Sequence, residues 1–193
     1  MKKSKSRPIP SMGVILLGPV GEVAGHVVAA NIQVILEVPV DLLGRDEVPA
    51  HTFQFQRQQY DAGLILKYLA ELNFPHFARI IAVTNVDLCT PILTHVFGEA
   101  ELGGRVAVVS DCRLRHNYDG SFAPLDRYYE RLAKVAVHEV AHTLSVYHCN
   151  DAKCVMRYSP KVQHLDEVGL YFCERCEFMV RKSLGHIRST VDI

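Results

Sequence analysis

Two histidines and a glutamate in the run His138-Glu139-Val140-Ala141-His142 have the types and spacing for metal-assisted hydrolysis. On a helix, residues four apart project from the same face, so both imidazoles can reach one Zn²⁺ at about 2.0–2.1 Å. Glu139 flanks the first ligand without filling the coordination sphere, where a carboxylate can take a proton from an activated water. Taken alone, the five residues also fit a helix with two surface histidines. His148 narrows the choice: it lies six residues past His142, and a chain turning back there can supply a third ligand. Three neutral histidines leave a fourth, open position, which is the arrangement of a catalytic rather than a structural zinc.

A second set follows at once. Cys149 and Cys154 form one close pair, and Cys173 and Cys176 another. Two close pairs of thiolates suit a closed tetrahedral zinc site that serves folding; two disulfides or unrelated thiols are the alternatives. Cys89 and Cys112 stand apart and read as ordinary buried cysteines.

These side chains need a scaffold. Leu132, Val135, Ala136 and Val140 recur near helical spacing, predicting a long helix from Leu125 to Leu144 with Asp126 at its start. Upstream, Met12–Val20 reads as a buried strand and Gly21–Asn31 as a helix. Ile32–Val40 reads as a second buried strand, Arg57–Leu72 as an amphipathic helix and Ile80–Thr84 as a third strand. This alternation predicts a mostly parallel sheet with crossover helices. The pattern then breaks. Val96–Leu102, carrying Glu99 and Glu101, reads as a polar edge strand, and Gly103-Gly104 turns it into a strand over Arg105–Ser110.

Lys and Arg together number 21 and so do Asp and Glu, so the chain lacks the basic excess that a nucleic-acid partner needs. A hydrophobic fraction of 49% supplies a core for one domain. No apolar run reaches the ~18 residues of a membrane span. The basic start, residues 1 to 11, reads as a solvated tail, because the apolar run behind it is too short for a signal peptide. The expected location is therefore cytoplasmic, where clustered cysteines bind metal more often than they cross-link.

The combination of His138-Glu139-x-x-His142, His148-Cys149, Cys154-x-Met156 and Cys173-x-x-Cys176 resembles the archaemetzincins, zinc peptidases of the metzincin clan with an added four-cysteine zinc site. The likeness runs from about residue 12 onward. It is supported by Arg57, Gln59 and Tyr60, by Val86–Leu88, Val96–Ala100 and Val108–Leu114. It implies an α+β, zincin/metzincin-like fold: a mostly parallel sheet with an antiparallel edge strand, crossover helices, an active-site helix and a small irregular C-terminal zinc-binding subdomain. A single catalytic domain would divide into residues 12–148 and 149–193. The resemblance also implies two zinc ions. One catalytic ion would be held by His138, His142 and His148, and one structural ion by Cys149, Cys154, Cys173 and Cys176. Glu139 would be the general base and Met156 the methionine of the turn beneath the site. Tyr158 would lie near the metal or the developing oxyanion, or else pack below it. The edge strand Phe97, Gly98, Glu99, Ala100, Glu101 and Leu102 would pair with an extended peptide or protein substrate. Residues Arg157 to Lys161 are candidates for the pocket wall, and the expected state is a monomer.

One position departs from the family pattern. Ser145 stands where glycine usually lets the chain swing back after the helix. A positive φ there costs a serine on the order of 1 kcal/mol. The serine could accept that conformation, the turn could shift, or the helix could run on and misplace His148. The first is the expected outcome. The last would make the chain a zinc-binding relative with weak or no peptidase activity.

Overall fold

The computed structural model describes residues 11–190, with side chains described to residue 187. The predicted tail therefore lies, but for Ser11, outside the described residues. In chain order the elements are β1 (Ser11–Leu17), α1 (Glu22–Leu36), β2 (Val40–Asp46), β3 (Phe53–Gln54), β4 (Gln59–Asp61), α2 (Ala62–Glu71) and β5 (Phe77–Thr84). Then follow β6 (Leu88–Cys89), β7 (Gly98–Ala100), β8 (Val106–Ser110), α3 (Leu125–Thr143), α4 (Val162–Glu167) and α5 (Glu174–Thr190). The main sheet has the order β2-β1-β5-β8-β7. Its first four strands are parallel, and β7 runs antiparallel to β8 at the edge.

Strand residues alternate between two apolar layers. Met12, Val14 and Leu16 of β1 and Ala107 and Val109 of β8 join the core beneath α1 and α3. Ile15, Leu17, Val106 and Val108 face the smaller core under α2. A sheet covered on both faces accounts for strands that read as continuous apolar runs.

Two sequence expectations change here. Ile32–Val40 is not a strand: its first half completes α1, and the strand follows at Val40–Asp46. Val28, Ile32 and Leu36 recur every fourth residue and are fully buried, whereas Val34 is 74% exposed. That one-sided burial is helical, and a short β-branched run does not reveal it. The helix ends where Glu37 takes a left-handed φ of 56°. The helix expected from Arg57 begins instead at Ala62. Asp61 caps it by accepting from the Leu64 N–H at 3.1 Å, and residues 59–61 pair in a small second sheet with β3 and β6. The edge strand is shorter than Val96–Leu102.

The C-terminal region also contains two helices that have no counterpart in the sequence reading. The longer, α5, sends Val180 and Leu184 into the main core. Its Ser183 hydroxyl donates to the Leu144 carbonyl at 2.6 Å, tying α5 to the end of α3. Among the described residues no helix is long and apolar enough to cross a membrane.

Candidate active site

Helix α3 carries His138, Glu139 and His142, and the way it ends decides where His148 goes. Four carbonyls at a helix C-terminus lack intrahelical partners, and all four are satisfied. The Ser145 N–H donates to the His142 carbonyl at 3.0 Å and the Val146 N–H to the Ala141 carbonyl at 3.1 Å. This pair of bonds is a Schellman closure, which demands a left-handed residue at the first position past the cap. Ser145 supplies it, with φ of 63°. The Gly103 N–H adds a second donor to the His142 carbonyl at 2.9 Å. Arg79 Nε reaches the Thr143 carbonyl at 3.3 Å, and Ser183 takes Leu144. The serine therefore accepts the strained conformation, and the turn is neither shifted nor lost. Replacing Ser145 by Gly removes that strain but adds freedom to the unfolded chain. The expected net gain is about 0.5–1 kcal/mol, or a Tm rise of about 1–4 °C, with peptide cleavage unchanged. Thermal melts and peptide assays of the two proteins check this.

The closure also orients the histidine rings. It brings the Val146 carbonyl to His142 Nδ1 at 2.7 Å, while His138 Nδ1 lies 2.8 Å from the Val155 carbonyl. A carbonyl only accepts, so each Nδ1 carries the proton and each Nε2 is left with a bare lone pair. The two Nε2 atoms nevertheless sit 3.0 Å apart. Two facing lone pairs repel unless a cation lies between them, and nitrogens ~2.0–2.1 Å from a tetrahedral zinc are about 3.3 Å apart. The His148 ring completes the set, with centroids 5.2 Å and 4.9 Å from His138 and His142. Ligand atoms from all three lie within 4.8 Å of one another. Burial lowers the pKa of each ring; for His138, burial and the neighbouring His142 bring it to about 3. All three are thus neutral at pH 7, as metal ligands must be.

Glu139 is 8% exposed. Burial, reinforced by the Glu99 carboxylate, raises its pKa well above the usual carboxylate range. Its side chain lies against Gly98 of β7, where an added Cβ would sit 2.6 Å from Glu139 Cγ and 2.9 Å from the Val108 carbonyl oxygen. Gly98→Ala must therefore displace either the carboxylate or the strand. The expected result is a loss of kcat/KM of about 10- to 100-fold with zinc content retained; equal activity would show that Glu139 tolerates displacement.

The ladder between β7 and β8 leaves one row of backbone groups free. The Ser110 N–H donates to the Phe97 carbonyl at 2.8 Å and the Glu101 N–H to the Val106 carbonyl at 3.0 Å. Hydrogen-bonded pairs alternate in an antiparallel ladder, so the N–H and C=O of Gly98 and Ala100 point away from β8. The cleft there encloses about 430 Å³, with Phe97, Gly98, Glu99, Ala100 and Leu102 along one side and the three histidines and Glu139 at its floor. Glu101 is not part of it: its carboxylate accepts from the Arg105 N–H at 3.1 Å within the Gly103-Gly104 turn. Of the expected wall, Tyr158, Ser159 and Pro160 face the cleft. Arg157 turns instead to the Ala152 carbonyl and Glu167, and Lys161 lines a neighbouring cavity.

The Tyr158 ring lies 5.2 Å from that of His148. Met156 is fully buried in the main core, and its carbonyl accepts from the Cys149 N–H at 2.9 Å. Sequence reasoning missed Val135, Leu165 and His95, which also line the cleft. Val135 was within reach, since it sits three residues before His138 on the same helical face; Leu165 comes from α4 and carried no signal.

The four cysteines also meet. All are free thiols, and their Sγ atoms lie within 4.8 Å of one another. The Cys149 and Cys173 sulfurs are 3.7 Å apart, against about 3.8 Å for sulfurs ~2.3 Å from one tetrahedral zinc. The Asp151 N–H points at Cys149 Sγ and the Cys173 N–H at Cys154 Sγ, at 3.4 and 3.3 Å. Such bonds favour thiolates. This donor set, like the histidine set, fits zinc.

Comparison with known proteins agrees with this chemistry. The model of peptidase family M54 matches residues 21–182. The archaemetzincin of Methanocaldococcus jannaschii is 32% identical over 164 residues, covering 84% of this chain and 89% of that protein. The archaemetzincin of Archaeoglobus fulgidus is 36% identical over 156 residues, covering 81% and 90%. The crystal structure of the Methanopyrus kandleri archaemetzincin superposes with a TM-score of 0.83 at 29% identity, covering 94% of this chain and 99% of that one. The chain belongs to the archaemetzincins, peptidase family M54, and is a zinc metallopeptidase.

Proposed function

We propose that the chain hydrolyses peptide bonds in an extended substrate that pairs with the free edge of β7, using two zinc ions of separate purpose. The observation that carries this is the packing of Glu139 against Gly98: the base and the strand's free backbone groups meet at one point, beside three histidines whose ring nitrogens converge. His138, His142 and His148 would hold the catalytic ion, and Cys149, Cys154, Cys173 and Cys176 the structural one. When bound, the catalytic zinc supplies Lewis-acid activation of a water and of the scissile carbonyl.

The protein's own groups do the rest. The backbone of Gly98 and Ala100 aligns the peptide by β-augmentation. Glu139, placed beside the three histidines and beneath Gly98, accepts a proton from the attacking water and returns it to the departing amine. The Tyr158 hydroxyl is the candidate donor to the oxyanion, since its ring stands beside His148 at the cleft. Met156 serves as the apolar floor. A weak or inactive site was the alternative while Ser145 threatened to misplace His148; the left-handed serine favours the active form.

The test combines metal content with backbone substitution in the peptide. Purified protein should contain about two zinc ions per chain and cleave an unstructured peptide. N-methylation of the peptide nitrogen opposite Gly98 should slow cleavage about 3- to 10-fold, the worth of one backbone hydrogen bond. Cleavage indifferent to methylation at every position would remove β7 from the substrate site.

A further inference from the structure

A second cavity, of about 480 Å³, opens beside the catalytic cleft. The two share His95 and Phe97 on one wall. On the other wall the chain passes without a break from Tyr158–Pro160, which line the cleft, to Lys161, Val162 and Gln163, which line the second cavity. The second cavity is thus a continuation of the cleft beyond the start of β7.

The direction of the strand says what arrives there. β7 runs from Gly98 to Ala100. A peptide paired antiparallel to it enters at the Ala100 end and leaves past Phe97 and His95. Glu139 marks the cleavage point beneath Gly98. At about 3.3 Å per residue, the second or third residue after the cleaved bond reaches the second cavity.

That cavity is cationic. Its one acidic lining residue among the described residues, Asp87, is held by Arg113 through two bonds of 2.6 and 2.8 Å, and by the Gln59 amide at 2.9 Å. Lys161 has no ion-pair partner among the described residues. His95, His116 and the Asn117 amide add further polar groups to the lining. Asp87 is neutralised by Arg113, so among the described lining residues the Lys161 ammonium is the uncompensated one.

We propose that this cavity is the subsite for a carboxylate carried two or three residues beyond the cleaved bond, with Lys161 as the charge that recognises it. The carboxylate is either an Asp or Glu side chain or the peptide's own C-terminus. This rests on β7 being the substrate strand, as proposed above.

The test uses the zinc-loaded protein and one peptide in four forms. They are a neutral amide-ended parent, the same peptide with Glu two or three residues past the cleaved bond, the parent with a free C-terminal acid at that distance, and the parent N-methylated opposite Gly98. The expected result is a kcat/KM about 10-fold higher for a carboxylate-bearing form than for the parent. The Glu and free-acid forms distinguish the two sources. In Lys161→Glu the ratio of carboxylate-bearing to neutral peptide should fall to one or below. Equal rates for the acidic and neutral forms, or a preference that survives Lys161→Glu, overturn the proposal. If N-methylation slows cleavage while carboxylates make no difference, the subsite fails and the strand stands; if methylation has no effect, the strand itself is wrong. Fluorescence anisotropy of the same peptides bound to zinc-loaded Glu139→Gln gives the same ratios from dissociation constants. It decides the matter should turnover be too slow to measure.

Discussion

Glu139→Gln is expected to lower kcat/KM by about 10³-fold while leaving the metal content unchanged. General-base catalysis contributes 10²–10⁴-fold, and the amide is nearly isosteric but cannot accept the water's proton. Glu139 is not a member of the converging histidine set, so zinc should remain. The same substitution should stabilise protein from which only the histidine-site ion has been removed. In that form burial and Glu99 raise the Glu139 pKa well above its unfolded value. Stability is then greatest below the ordinary carboxylate pKa and is lost as pH rises through the raised one. Glutamine abolishes that loss. The variant's Tm should therefore exceed the wild-type value by a margin that widens as pH rises above the ordinary carboxylate range. Relief of a destabilised active-site group gives about 1 kcal/mol or more, which is about 2–4 °C at this chain length. Undiminished cleavage would remove Glu139 from the base role; a Tm margin constant with pH would show that its carboxyl is not strained by burial.

Cys173→Ser should be more damaging still, and at both metal sites. Zinc bound to four thiolates contributes folding free energy directly, and loss of one ligand is expected to destabilise the chain by about 4 kcal/mol or more. The damage should spread because His148 and Cys149 are adjacent residues serving different sets. The segment between the cysteine pairs also holds the histidine site in place: the Val155 carbonyl fixes His138, and the Met156 carbonyl holds Cys149. Zinc content should fall from about two ions per chain toward none. His148→Ala should lose only one ion and keep the thermal stability of the cysteine site. Zinc analysis and thermal melts of the two variants separate these outcomes. One retained zinc and intact cleavage in Cys173→Ser would mean that the two sites are independent.

The chemistry was legible in the sequence because it obeys local rules. His138 and His142 share a helical face by their spacing alone, and the predicted helix of Leu125–Leu144 matches α3 to within one residue. The close cysteine pairs suggested one site, and their sulfurs gather within 4.8 Å. The parallel order with an antiparallel edge strand was readable from the alternation of runs and the Gly103-Gly104 turn. Ile32–Leu36 was misread because a β-branched run suits strand and helix alike until one side is seen to be buried.

Residue identity, taken alone, determined which groups could act: three histidines, a glutamate and four cysteines, with a serine at the one turn that prefers glycine. Whether they could act together was left to tertiary contacts. Gly103, Arg79 and Ser183 come from far along the chain to satisfy the carbonyls at the end of α3. Those bonds help hold Ser145 in a conformation it does not favour by itself. Gly98 lets Glu139 approach the edge strand, and Arg113 neutralises Asp87, which leaves Lys161 without an ion-pair partner among the described residues. Helical spacing depends on neighbours three or four residues away, which a sequence displays. Backbone strain, close approach and charge compensation depend on residues brought together by the fold, and these the tertiary structure decided.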